Sequence, residues 1–98
     1  MLIKEILTEI ETSTHPVAKA LHKGEHFKVL VIGFKNGMVL KEHKAHMPSK
    51  LTVMDGTVEY RQGDDIVLLH KHDSFDIPVG EVHSVWAKED SLCLLTQG

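Results

Sequence analysis

From residue 27 to the end of the chain, short runs of hydrophobic and β-branched residues alternate with turn-forming residues. The segment 27–34 (FKVLVIGF) is rich in Val, Ile and Phe, which favour a partly buried strand. The dipeptides Asn36-Gly37 and Asp55-Gly56 favour tight turns between hairpin strands. Short strands joined by such turns are typical of a sandwich or barrel. The pattern therefore predicts an all-β fold, with hairpins at both dipeptides.

Further segments show the same extended character and close at turns that contain Gly or Pro. Together, the predicted strands cover residues 27–34, 38–43, 50–54, 57–61, 66–69, 74–77, 82–87 and 92–96. Alternate residues of a strand point to the same face of its sheet. Leu51 and Val53 are therefore expected to face the interior, and Lys50 the solvent.

The first 26 residues have a less regular pattern. Leu2, Ile6 and Ile10 sit at helical spacing, but threonines and β-branched residues are frequent around them. Any helix must end before Pro16, because the residue before a proline avoids the helical region. We expect this segment to form a strand or a short helix that packs on a sheet edge or on a partner subunit.

Composition narrows the class of protein. The chain has 98 residues, a net charge of −3 and no block of Lys or Arg, which argues against a nucleic-acid partner. No apolar run approaches the roughly 18 residues needed to span a bilayer, and the N-terminus does not resemble a signal peptide. The single cysteine excludes an internal disulfide. We expect one domain over residues 1–98, in the cytoplasm, with no membrane partner.

Several residue-level expectations follow from strand parity and local sequence. Cys93 lies in an apolar strand with no flanking base, so a buried and unreactive thiol is expected. Tyr60 alternates with Val58 and is expected to line the barrel or its mouth. His70 and His72 are expected on one face of a strand, either exposed or at a dimer interface.

Histidine is unusually frequent, with eight residues in 98. It is the commonest metal ligand and the side chain that titrates nearest to neutral pH. Because exposed histidines are also common, their positions in the sequence decide what they indicate.

Two spaced motifs contain two of the histidines. Residues 37–56 read G-x5-H-x-A-x3-S-x6-G, and residues 72–87 read H-x5-P-x-G-x2-H-x3-A. They resemble the two motifs of the cupin family, which in full-ligand members are G-x5-H-x-H-x3-E-x6-G and G-x5-P-x-G-x2-H-x3-N. The resemblance implies a jelly-roll barrel, the double-stranded β-helix.

The same resemblance implies a divalent metal such as Zn, Ni, Fe or Mn, but the ligand set is altered. His43 matches the first ligand and His83 the last, whereas Ala45 replaces the second histidine and Ser49 the glutamate. His46 lies one residue beyond the expected ligand, and strict alternation points it outward. A β-bulge ahead of Pro48 would turn it inward as a third ligand.

Strand parity also defines a candidate ligand pocket in the barrel interior. Its members share the inward face with the two motif histidines: His43, Ala45, Ser49, Leu51, Val53, His83 and Val85. Mostly apolar walls with a few convergent polar groups are usual for a small-molecule site.

Three functions are compatible with these features. The preferred one is the binding of a small molecule around His43 and His83, with no catalytic residue assigned and no cofactor required. The first alternative is a metal-dependent cupin enzyme of the dioxygenase or isomerase type that uses His43, His83 and His46. The second is a non-catalytic dimeric scaffold. In each case we expect a homodimer, with the apolar N-terminal segment at the subunit contact.

Overall fold

The computed structural model describes residues 2–98, and strands account for most of this part of the chain. The elements in chain order are α1 (Leu2–Glu9), β1 (Val17–Lys23), β2 (Lys28–Phe34), β3 (Val39–Lys44), β4 (Ser49–Asp55), β5 (Thr57–Gln62), β6 (Asp65–His70), β7 (Ser74–Ile77), β8 (Val82–Ala87) and β9 (Ser91–Gln97).

The strands form two antiparallel sheets. One has five strands in the order β1-β2-β9-β4-β7, and the other has four in the order β3-β8-β5-β6. Successive strands often belong to different sheets, as they do in a jelly roll. The predicted all-β jelly-roll fold is confirmed.

The main core lies between the two sheets and follows the alternation along each strand. On β4, Ser49, Leu51 and Val53 are buried while Lys50 is exposed. Buried hydrophobic side chains from both sheets form one cluster: Ile32, Phe34, Ala45, Leu51, Val53, Val58, Tyr60, Leu69, Ile77, Val85, Ala87, Cys93 and Leu95. The interior is thus filled by aliphatic and aromatic side chains and one cysteine.

A second cluster covers the outer face of the five-stranded sheet. Ile6 of α1 and Ile10 pack with Val17 and Val31. Gly33 permits this approach, because a Cβ atom there would lie 2.6 Å from Cγ2 of Ile6. The apolar side of α1 is therefore buried against its own sheet, and β1 forms that sheet's edge.

The two glycine dipeptides mark turns, as expected, but the predicted hairpins are wrong. The Asn36-Gly37 turn links β2 to β3, and the Asp55-Gly56 turn links β4 to β5; in both cases the strands lie in different sheets. Gly56 adopts φ of +84°, and a Cβ there would lie 2.3 Å from the carbonyl oxygen of Asp90. Glycine allows the tight reversal, while long-range pairing decides which sheet each strand joins.

The predicted common face of His70 and His72 is also wrong. β6 ends at His70, and His72 lies in the following turn with φ of +76°. Parity applies only within an extended strand, so it does not relate these two side chains.

Among residues 2–98, no helix has the length and apolar character required to cross a bilayer.

Candidate functional site

The two motif histidines meet across neighbouring strands. His43 on β3 pairs directly with His83 on β8, and their ring centroids are 4.2 Å apart at an interplanar angle of 59°. His83 is buried, with 3% of its surface exposed, whereas His43 is exposed at the end of the barrel. The pair therefore has one ring exposed to solvent, that of His43, and one ring buried in the protein, that of His83.

A β-bulge places His43 in this position. Leu40 pairs with Val85 and His43 with His83, so β3 advances three residues while β8 advances two. Alternation alone would put Leu40 and His43 on opposite faces. The extra residue within 41–42 restores a common face, because a bulge re-aims every side chain that follows it.

Backbone carbonyls fix the tautomers of both rings. Nδ1 of His43 lies 2.7 Å from the carbonyl oxygen of Lys41, and Nδ1 of His83 lies 3.1 Å from that of Glu81. A carbonyl can only accept, so each Nδ1–H donates. In the neutral ring, Nε2 then carries a lone pair. Each histidine thus offers Nε2 as an acceptor or as a ligand atom.

The Nε2 atom of His83 is accessible despite the burial of the residue. Within the described residues, every side-chain nitrogen or oxygen atom that is sealed from solvent has a hydrogen-bond partner. The hydrogen bond of the His83 ring uses Nδ1. Its Nε2 therefore reaches solvent.

Two aromatic rings support His83 from the interior. Tyr60 stacks on His83 with centroids 5.4 Å apart, and Phe75 packs on Tyr60 at 4.5 Å. The Tyr60 hydroxyl donates to Oε1 of Gln62 at 2.8 Å. Tyr60 is 1% exposed, so this hydrogen bond satisfies a polar atom within the core.

The surroundings change the acid–base behaviour of this group. Burial lowers the pKa of His83, and the nearby His43 ring lowers it further, partly opposed by the hydrogen bond to the Glu81 carbonyl. Burial also raises the pKa of Tyr60, with a smaller contribution from the Glu81 charge. Both effects favour the neutral forms of His83 and Tyr60.

Two surface cavities touch the pair, one at each histidine. The cavity beside His43 has a volume of about 450 Å³ and is lined by His15, Pro16, Val39, Leu40, Lys41 and His43. The cavity beside His83 has a volume of about 340 Å³ and is lined by Glu42, Arg61, Gly63, Val82, His83, Ser84 and Trp86. Both volumes fall within the range of small-molecule sites.

The remaining residues of the predicted pocket lie in the core. Ala45, Leu51, Val53 and Val85 belong to the main buried cluster between the sheets. Ser49 is also buried, at 6% exposure. These side chains are therefore part of the packed interior, and the cavities at the pair are lined by other residues.

His46 lies outside this arrangement. β3 ends at Lys44, and His46 is exposed in the loop that follows. The bulge of β3 precedes His43 rather than Pro48, so it re-aims His43 instead of His46.

The donor set does not fit the metal site that the motifs imply. Ala45 has no ligand atom, and the Ser49 hydroxyl donates to the Met47 carbonyl at 3.0 Å while it accepts from Nε2 of Gln97 at 3.3 Å. No group of three or more His, Cys, Asp or Glu side chains suited to a metal ion occurs within residues 2–98. Two imidazoles remain, fewer than the three protein ligands usual for a catalytic zinc site.

Sequence reasoning missed two parts of the site. It did not connect Tyr60 and Phe75 to His83, because the pairing of β5 with β8 and the packing of β7 from the other sheet on Tyr60 are tertiary contacts. It also missed the carbonyls of Lys41 and Glu81 that orient the imidazoles. The shared spacing, with each carbonyl two residues before its histidine, was the available signal.

Comparisons with known proteins identify the fold. Neither a scan against protein-family models nor a search of curated proteins finds a significant match. A cupin superfamily protein from Desulfitobacterium hafniense matches with a TM-score of 0.81 and 15% identity, over 87% of this chain and 78% of its own. An RmlC-like cupin from Desulfovibrio desulfuricans matches with a TM-score of 0.77 and 26% identity, over 84% and 80%.

A third solved structure shows the same likeness within a larger protein. The cupin 2 conserved barrel domain protein from Leptotrichia buccalis matches with a TM-score of 0.80 and 25% identity, over 88% of this chain and 42% of its own. The shared fold covers 84–88% of this chain in these three matches. The chain is therefore a small RmlC-like domain of the cupin fold.

Proposed function

We propose that this cupin domain binds a small organic molecule at the His43–His83 pair, through Nε2 of each ring. The observation that carries the proposal is the paired arrangement of the rings, 4.2 Å apart with both Nδ1 atoms held by carbonyls. Two oriented acceptors favour a ligand with hydroxyl, amide or ammonium donors.

The environment of the pair supports binding. His83 keeps an accessible nitrogen in a largely apolar setting formed by Tyr60 and the core behind it. A hydrogen bond made there is stronger than one made in open water, because the local dielectric constant is lower. The cavity beside His43 adds apolar contacts from Pro16, Val39 and Leu40.

The proposal is for binding without a catalytic step. The donor set does not provide the ligands of the usual cupin metal, and the lowered pKa of His83 favours a neutral acceptor. The pair is thus suited to recognise a donor group on a ligand.

An NMR fragment screen with uniformly 15N-labelled protein tests the proposal. Bound fragments that carry hydroxyl or amide donors are expected to shift the Nε2 resonances of His43 and His83. The variants His43→Asn and His83→Asn should each weaken binding at least tenfold. His46→Asn, an exposed control at a neighbouring position, should bind as the wild type does.

Two results would contradict the proposal. One is a set of bound fragments that leaves both imidazole signals unchanged. The other is stoichiometric zinc that survives dialysis in untagged protein and is lost from His43→Asn, which would favour the metal-dependent alternative.

A further inference from the structure

The two sheets have four edge strands, and three of them are protected against pairing with another chain. β1 has Lys19, Lys23 and a bulge between residues 20 and 22. β3 has a bulge between residues 40 and 43 and several charged residues. β7 has only four residues, and one of them is Asp76. Charges, bulges and shortness are the usual devices that prevent edge-to-edge association.

β6 has none of these devices along its centre. Its sequence is DIVLLH over Asp65–His70, and its pairing with β5 is regular throughout. Ile66 is 60% exposed and Leu68 is 49% exposed, which is unusual for two large apolar residues on one strand. The outer edge of the four-stranded sheet is therefore apolar and regular.

Charges on the neighbouring strand do not protect this edge. Ile66 pairs with Arg61 and Leu68 with Glu59 across β5. Arg61 forms a 2.6 Å ion pair with Glu59, and its guanidinium lies 3.8 Å above the ring of Trp86. The Arg61 charge is thus directed toward β8, away from β6.

The backbone of β6 presents free hydrogen-bonding groups at this edge. The N–H of His70 donates to Oδ2 of Asp73, and its C=O accepts from the N–H of Asp73, so the backbone groups of His70 face away from β5 and are already bonded. Because direction alternates along an antiparallel strand, the N–H and C=O groups of Ile66 and Leu68 also face outward. In the described part of the chain, β6 pairs with β5 alone.

We propose that β6 is a homodimer interface, in which β6 of two copies pairs antiparallel about a two-fold axis at Val67. In this register Ile66 lies opposite Leu68 of the second copy, so the outward backbone groups form matched hydrogen bonds. Such an interface is self-complementary, as two-fold symmetry requires.

The dimer so formed joins two four-stranded sheets into one of eight strands. It brings the exposed Ile66 and Leu68 of both copies together on the outer face, where each covers apolar surface of the other. It also leaves α1 in its intramolecular contact with the five-stranded sheet. The interface therefore differs from the N-terminal contact that the sequence pattern indicates.

Light scattering coupled to size exclusion tests this interface. The wild type is expected at twice the 11.0 kDa mass of one chain. Leu68→Lys should shift it to the mass of one chain. Leu21→Lys, at a 45% exposed position on β1, should remain dimeric. Since both positions are exposed, both variants should fold, and circular dichroism verifies this.

A cross-linking experiment tests the register independently. Val67→Cys should form an intermolecular disulfide under mild oxidation, because facing residues at non-hydrogen-bonded antiparallel positions have Cα atoms about 4.5 Å apart. Leu21→Cys should not cross-link, and neither should the wild type, whose Cys93 is buried. A monomeric wild type, a dimer that survives Leu68→Lys, or a disulfide at residue 21 in place of 67 would each overturn the proposal.

Discussion

His43 and His83 form a direct cross-strand pair although a bulge interrupts β3 just before His43. The bulge gives His43 the same orientation as Leu40, three residues earlier, and this brings the two imidazoles within 4.2 Å of each other. In a regular β3, Leu40 and His43 would point to opposite faces of the sheet. The irregularity is therefore what allows one strand to supply both core packing and the candidate site.

Acid should destabilise the fold through His83. Its pKa in the folded protein lies below the ordinary value near 6.5, chiefly because the ring is buried. The unfolded chain therefore takes up a proton first as the pH falls. Stability is fully present above about pH 6.5 and declines as the pH falls from there toward the folded-state pKa, by at most about 1.4 kcal/mol per pH unit.

Urea unfolding at several pH values between 7.5 and 4.5 measures this effect. His83→Asn keeps a donor for the Glu81 carbonyl but does not titrate, so its stability should vary less over this range. The exposed control His46→Asn should follow the wild type. A wild-type profile that His83→Asn leaves unchanged would show that another group is responsible.

Tyr60 should contribute to stability mainly through its ring. Tyr60→Phe removes the hydroxyl that donates to Gln62 but keeps the stack on His83, and we expect a loss of about 1 kcal/mol. Tyr60→Ala also removes the ring from the core, with an expected loss of about 3–5 kcal/mol. Chemical denaturation measures both values, and equal losses would contradict the structural role assigned to the ring.

Two neighbouring residues of α1 test how the N-terminal segment packs. Ile6 is fully buried between α1 and the five-stranded sheet, whereas Leu7 is 50% exposed. Ile6→Ala should lower the free energy of unfolding by about 2–5 kcal/mol, and Leu7→Ala should change it by about 0.5 kcal/mol or less. The loss in Ile6→Ala should not depend on protein concentration, because the contact lies within one chain. A concentration-dependent loss would indicate packing against a partner subunit instead.

The all-β class, most of the strands and the inward positions on β4 were predictable from the sequence. Short β-branched segments between Gly-containing turns offer few other ways to bury apolar surface, and parity follows from the geometry of an extended chain. The buried state of Cys93 followed in the same way and is confirmed, with burial raising the pKa of its thiol to about 12.

The pairing of the strands was not predictable from the sequence. The Asn36-Gly37 and Asp55-Gly56 turns were identified correctly as reversals but wrongly as hairpins. A dipeptide determines how sharply the chain turns, which is a local property. Whether the next strand pairs with the previous one or crosses to the other sheet depends on the packing of distant strands.

For the candidate site, the sequence by itself determined which residues are available: two motif histidines, an alanine and a serine where the family has further ligands, and apolar neighbours of the same parity. Only the tertiary structure decided that a bulge aims His43 at His83, that Tyr60 supports the pair and that His46 remains outside. The physical reason is that motif spacing describes regular strands, whereas bulges and ring contacts arise from pairing between segments about 40 residues apart in the chain.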